Sequence, residues 1–352
     1  MKTTPTTSPA EPAPRLTLRS IADELGVSAK TVSNAFTRPD QLSSQLREQV
    51  LRTAERMGYA GPDPLAASLR RGRVGAIGVA YANGLSYAFD DPVSVELLAG
   101  VSAAAEPAGI GLLLVPGSAD PQRSVAAIGG ALIDGLVVSS LADDDPLLTA
   151  AVARRLPLAV VDQPHPDRLA ELGSTATPWV GIDDRAAARA AADHLLALGH
   201  RQLAVVCFGL TRHPHAGLVD ETTQARTTYA VTRDRLAGYR DAALSVRLDW
   251  SRMPVFGGTD STPHDGDIGA TTVLTTIPRP TALLCLSDRI AEGALLAAGL
   301  GLTTIAQPTR RKGQLAGQAL LRRLHNLEPS SRAETLPTRL VVRRTSGRAP
   351  SR

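Results

Sequence analysis

The sequence predicts a small all-α N-terminal unit followed by a larger α/β core, and three observations carry that expectation. Between residues 16 and 61, short apolar periodicities of helical spacing end at glycines, Gly26 and Gly58. From Val74 onward, strand-like apolar runs alternate with Ala/Leu-rich helical stretches, the pattern of parallel sheets covered by helices. Positive charge is concentrated at the front. Residues 1–73 hold 11 Lys and Arg against 7 Asp and Glu, an excess of +4 that equals the net charge of all 352 residues, so the remainder is balanced. A polyanion partner would therefore be met by the N-terminal unit.

Residues 1–15 are Thr/Pro/Ala-rich and read as a disordered tail without the apolar stretch of a signal peptide. Thr17 can cap a helix over Leu18–Leu25, with Leu16 and Ile21 placed as a hydrophobic staple. Leu18, Ile21, Ala22 and Leu25 share one face of it, and Gly26 ends it. Ser28 can cap a second helix over Ala29–Phe36, with Val32 turned inward. A third follows over Gln45–Met57, burying Leu46, Val50, Ala54 and Met57 before Gly58. This is helix-turn-helix spacing, in which the second helix offers its N-terminal residues to base edges in a major groove. The exposed positions there are Ala29, Lys30, Thr31, Ser33 and Asn34. Lys30 suits guanine, Asn34 adenine, and Ala29 a thymine methyl. A generic three-helix bundle with a polar outer face has the same helical pattern.

The connector, residues 62–73, separates the two readings. Asp63 can cap and Pro64 fits a first helical position, giving a short helix over Asp63–Arg71 before Gly72. It would expose Leu65 and Leu69 beside Arg70, Arg71 and Arg73, the composition of an apolar wedge for a minor groove. A plain interdomain linker is the alternative, and it explains poorly why exposed leucines should stand among arginines.

In the core, strands are expected at Val74–Tyr81, Ile110–Val115, Gly135–Ser139, Leu158–Asp162, Trp179–Asp183, Leu203–Phe208 and Ala282–Leu286, with a last one at Arg339–Arg343. Helices are expected at Val93–Ala108, Arg185–Leu198, Arg233–Ala243 and Asp288–Ala298. Ligands of such sheets bind beyond the carboxyl ends of the strands. Cys207 and Cys285 each end an apolar run and read as buried thiols of a cytoplasmic protein. No apolar run is long enough to span a bilayer. There is no Walker loop, dinucleotide fingerprint or nucleophile elbow, so no enzyme class is suggested.

Taken in order, the motifs Leu18–Arg19–Ser20–Ile21–Ala22, Gly26–Val27–Ser28, Thr31–Val32–Ser33, Met57–Gly58–Tyr59 and Leu65–Ala66–Ala67–Ser68–Leu69 resemble the lac repressor (LacI/GalR) family. The core adds Ile77–Gly78–Val79, Leu158–Ala159–Val160–Val161–Asp162, Arg235–Leu236–Ala237–Gly238–Tyr239, Ser287–Asp288 and Leu302–Thr303–Thr304–Ile305. The resemblance runs from Leu16 to about Val342. It implies a helix-turn-helix headpiece over 16–61, a hinge over 62–73, and a core over 74–343 of two Rossmann-like subdomains, similar to periplasmic binding proteins. It also implies a homodimer on a palindromic DNA operator, a sugar-like small-molecule effector in the cleft, no cofactor and, usually, repression. Among the residues expected to face DNA are Thr17, Ser28, Ala29, Lys30, Thr31, Ser33 and Asn34, with Leu65, Ala66 and Leu69 from the hinge. Effector contacts carry over to Asn83, Asp162, Arg235 and Asp288. Strand-end capping or a structural ion pair would also account for Asp162 and Asp288.

Two departures stand out. The stretch Gly209–Thr232 is a long polar insertion, expected to be a flexible loop near the cleft; its His213, His215 and Asp220 lack a defined metal-ligand spacing. Near Leu300–Leu302 a strand that the family ends in Val-Gly-Phe/Tyr-Asp-Asp is missing, so one sheet should have an unfilled edge. The rival functions are a solute-binding module, which the basic headpiece disfavours, and a regulator that binds DNA but has lost its response to ligand. Residues 344–352 read as a disordered tail.

Overall fold

The structure is a computed structural model that describes residues 16–59, 61, 72–213, 216–295, 303–327 and 333–350. The expected hinge helix, with Leu65, Ala66 and Leu69, lies outside these residues, as do His215 and residues 296–302. The chain divides into two compact units at Val74/Gly75.

Among its described residues the first unit holds three α-helices, Leu18–Leu25, Ala29–Thr37 and Ser44–Met57, with a 3₁₀ turn at Pro39–Gln41. Each helix starts on a hydroxyl cap: Thr17, Ser28 and Ser43 accept from Ser20, Thr31 and Leu46 backbone N–H groups. Gly26 (φ 64°) and Gly58 (φ 76°) close the first and third helices in the left-handed region, where a Cβ would be strained. Ile21, Ala22, Val32, Ala35, Val50 and Ala54 form the core, with Phe36 and Tyr59 packed edge to face. Leu16, expected as a staple, is instead 41% exposed.

The described residues of the second unit form two large sheets, one parallel and one parallel but for an edge strand. The first is built from β1 (Ala76–Ala80), β2 (Gly111–Val115), β3 (Gly135–Ser139), β4 (Leu158–Val161) and β5 (Trp179–Ile182), with β11 (Ala333–Leu336) at its far edge. The order is β11-β5-β4-β3-β1-β2. The second contains β6 (Leu203–Cys207), β7 (Gly217–Leu218), β8 (Val255–Gly257) and β9 (Ala282–Cys285), in the order β7-β8-β6-β9, with only β7 antiparallel. Among the described residues β9 pairs with β6 alone. A third, two-stranded ribbon joins β10 (Thr304–Ala306) to β12 (Arg339–Val341).

The inner strands of both large sheets are buried on both faces, which explains their continuous apolar runs. Leu136, Val138 and Val160 face the helices Pro121–Gly130, Pro146–Ala153 and Pro166–Glu171, while Ile77, Val79, Val137 and Val161 face Pro92–Ala105 and Thr309–Leu324. In β6 the alternation is equally regular. Leu203, Val205 and Cys207 join the cluster of helices Asp184–Ala197 and Ala230–Ser245, and Ala204 and Val206 join the opposite one with Val273 and Ile290. Glycines let helices approach closely: a Cβ on Gly100 would lie 2.1 Å from the Arg310 carbonyl oxygen.

Three differences from the sequence expectation concern connections. The polar insertion is not a loop throughout: it contributes β7, a turn of helix at Glu221–Gln224, and the start of the helix at Ala230. Thr228 N–H donates to Leu210 O, so the segment closes on itself. Second, β8, β10 and β11 are short strands that the apolar pattern does not mark. Third, part of the supposed tail is tied down, with Ser346 Oγ against His194 Nε2 at 2.9 Å and Ala349 N–H donating to Leu198 O.

Candidate functional site

In the first unit, Ser28 Oγ caps the second helix through Thr31 N–H at 3.0 Å and contacts the Thr31 hydroxyl at 2.8 Å. Those two bonds fix the first turn of the helix. Thr17, Ser28, Ala29 and Lys30 are exposed, and Thr31, Ser33 and Asn34 are partly so, all on described surface. Asn34 is not idle: its Nδ2 donates to Gln41 Oε1 at 3.1 Å. Pairing with a base would require that amide to let go of Gln41.

In the second unit a cavity of about 810 Å³ lies beyond the carboxyl ends of the strands, between the two sheets. Asn83 follows β1, Asp162 follows β4 and Asp288 follows β9, while Arg235 projects from Ala230–Ser245; all four line it. The fold thus brings these four residues, far apart in sequence, to one cavity.

Their partners were not foreseen. Arg235 Nε donates to Asp184 Oδ1 at 2.7 Å, and its Nη1 donates to Leu286 O. The two side chains are only 17% and 6% exposed. Burial pushes the Asp184 carboxyl above its ordinary value, with Arg235 pulling the other way. Asp162 holds a left-handed backbone (φ 60°), one of the few conformations in which Asp rivals Gly. It is kept there by its own N–H to Val180 O and by Trp179 Nε1 donating to its carbonyl, both 2.9 Å. Its Oδ2 accepts from Lys312 Nζ at 2.5 Å. Thr304 Oγ1 donates to Asp288 Oδ1. Asn83 Nδ2 donates to Asp260 Oδ1 at 3.0 Å, from one sheet's loops to the other's.

Two buried polar atoms on this wall, the Tyr81 hydroxyl and Asp162 Oδ1, have no hydrogen-bond partner among the described residues. An unmade bond on a buried polar atom costs about 1–3 kcal/mol, so both are places where a hydroxyl-bearing ligand would relieve the protein. No group of His, Cys, Asp and Glu among the described residues could hold a metal ion. Of the insertion's three singled-out residues, Asp220 caps the helix at Glu221, and His213 receives the Thr211 hydroxyl on its carbonyl. No helix among the described residues is long and apolar enough to cross a membrane.

Comparison with known proteins follows the same lines. A family profile described as the periplasmic binding proteins and sugar binding domain of the LacI family matches residues 75–311. The chain is 42% identical over 363 residues to the HTH-type transcriptional regulator Rv3575c of Mycobacterium tuberculosis, covering 96% of this chain and 98% of that one. The crystal structure of a LacI-family transcriptional regulator from Corynebacterium glutamicum superposes with a TM-score of 0.70 at 32% identity, over 93% of this chain and 98% of that one. The lac repressor dimer bound to operator and the anti-inducer ONPF shares the fold, with a TM-score of 0.70 at 22% identity, over 94% of this chain and 98% of that one.

Proposed function

Because the chain belongs to the LacI family, we propose that it is a sequence-specific DNA-binding transcriptional regulator, a repressor whose grip on its operator is set by a small molecule in the core cavity. The observation that carries the proposal is the pairing, in one chain, of a capped, exposed second helix with a polar cavity at the strand ends. The headpiece supplies the positive charge and the core supplies the pocket. On this reading Lys30 and Asn34 reach base edges, Ala29, Thr31 and Ser33 complete the contact, and Thr17 and Ser28 sit at helix starts near phosphates. Leu65, Ala66 and Leu69 of the hinge enter the minor groove.

The protein acts as a homodimer on a two-fold operator in the cytoplasm, and it carries no catalytic chemistry. Asn83, Asp162, Arg235 and Asp288 hold the effector: fixed carboxylates and a guanidinium make charge-assisted bonds to a hydroxyl-rich ligand. The cellobiose complex of the similarly folded regulator CelR favours a sugar-like compound.

The test is footprinting of genomic fragments with the purified full chain, repeated across salt concentrations. A protected, two-fold-related sequence whose affinity falls steeply with salt is expected. Uniform affinity for every fragment at moderate salt would remove the DNA-reading role.

A further inference from the structure

Lys312 is the largest fully buried side chain of the described residues, 1% exposed, although it follows the exposed Arg310 and Arg311. It sits in the first turn of Thr309–Leu324, where the positive end of the helix dipole opposes a cation and burial removes its hydration. Two unfavourable terms at one position require a compensating partner. Nζ finds it in Asp162 Oδ2 at 2.5 Å and Gln307 Oε1 at 2.9 Å.

We propose that Lys312 positions Asp162 and sets the charge of the cavity, so that the site selects an uncharged polyhydroxy ligand over the phosphorylated or carboxylated form of the same compound. The inference rests on the reading of this cavity as the effector site. Three lining cations are already matched by carboxylates: Lys312 by Asp162 at 2.5 Å, Arg235 by Asp184 at 2.7 Å and Arg289 by Glu292 at 2.7 Å. Arg343, a fourth, is itself engaged. Asp91, Asp260 and Asp288 line the same space with no cation within ion-pair distance among the described residues, and accept from Ser94, Asn83 and Thr304 instead. An entering phosphate would meet these carboxylates in a low-dielectric space, or would have to displace Asp162 or Asp184 from its partner. Ligand hydroxyls meet no such barrier, because they donate to carboxylate oxygens that Lys312 and Arg235 hold in place.

The experiment uses the purified full chain and a panel of hexoses, disaccharides and sugar alcohols, together with the monophosphates of the same compounds. Binders are found by thermal shift and quantified by calorimetry. The native protein is expected to bind at least one uncharged compound, with its monophosphate at least tenfold weaker. Asp162→Asn leaves the Lys312 ammonium without its counter-charge, and the ratio of affinities should shift at least tenfold towards the monophosphate. Asp162→Asn combined with Lys312→Met should return the ratio to near the native one. Asp162→Ser replaces the Asn variant if that fails to fold. A merely structural Lys312 would lower stability in these variants and leave the ratio within twofold, which overturns the inference. So does the absence of any uncharged binder, or a native protein that prefers the monophosphate. If the ligand is weakened by Asp288→Asn but its phosphate discrimination never changes, only the role of Lys312 falls. If the ligand is insensitive to Asp288→Asn and to Asp162→Asn alike, it binds elsewhere, and the effector-site reading falls too.

Discussion

Replacing Arg235 by Met tests how the cavity wall is held. The guanidinium gives one bond to Asp184 at 2.7 Å and another to the carbonyl of Leu286, at the end of β9. With 17% and 6% of the two side chains exposed, solvent does little to screen the pair. Met fills most of the apolar volume but leaves Asp184 as a buried carboxylate without a counter-charge. Loss of one member of a buried pair costs about 3–5 kcal/mol. At about 2–4 °C per kcal/mol for a domain of this size, the melting temperature should fall by on the order of 10 °C. Adding Asp184→Asn removes the stranded charge and should recover most of the loss.

The pH dependence has a definite direction. Burial already holds the folded-state pKa of Asp184 above its unfolded value of 3.8, and loss of Arg235 raises it further. A carboxyl raised in the folded state contributes stability below the unfolded pKa and loses it as pH rises through the folded one. Arg235→Met should therefore be closest to the native protein in mild acid and fall progressively behind it towards neutral pH. Urea unfolding followed by fluorescence is a suitable assay, because Trp179 lies in the first sheet and Trp250 packs beside the second. Single and double variants within 1 kcal/mol of the native protein would refute the energetic role of the pair.

Three further outcomes are expected. Lys30→Ala and Asn34→Ala should each cost about 1–3 kcal/mol at the operator and relax preference at one base position, measured by gel shift across single-base operator variants, while Leu69→Ala should weaken operator binding far more than non-specific binding. Gly100→Val should destabilise the core by at least 1–3 kcal/mol in thermal unfolding, since its Cβ would meet backbone atoms of Arg310 and Gln314 at 2.1 and 2.8 Å. Both thiols should resist Ellman's reagent at neutral pH until the protein unfolds, because burial pushes Cys285 up to about 12 and Cys207 higher still, with almost no thiolate in either.

The seven strands β1 to β6 and β9 were legible because each is an apolar run bounded by polar or turn residues, and in the inner strands β1, β3, β4, β5 and β6 burial on both faces leaves such runs unbroken. The shorter strands were not. Val255–Gly257 follows Pro254 and has only three residues, and Ala333–Leu336 reads Ala-Glu-Thr-Leu, an edge strand whose polar positions mask it. Asn83, Asp162, Arg235 and Asp288 were legible as cavity-lining residues through the family's motif order. Lys312 was not, because Arg310–Arg311–Lys312 looks like a solvated charge run. Only the rotation of the helix puts the third of these inward, opposite an aspartate 150 positions away. Asp184 was hidden for the same reason: it opens a helix, where acidic residues are common for dipole reasons alone.

The polar bonds that span the two sheets have a mechanical consequence. Among the described residues they include Asn83 with Asp260, the Tyr87 hydroxyl with Ser261 O, Gln163 with the N–H of Val231, Asp143 with Thr228 and Arg233, and the buried ion pair of Asp145 with Arg212; a neutral one adds about 1 kcal/mol net against competing water, and those to charged groups somewhat more. Parting the two jaws would exchange these bonds for bonds to water, so the net cost in polar contacts would be on the order of several kcal/mol. A bound molecule that contacts both jaws unequally in the two forms needs to contribute only a comparable difference to decide which one prevails.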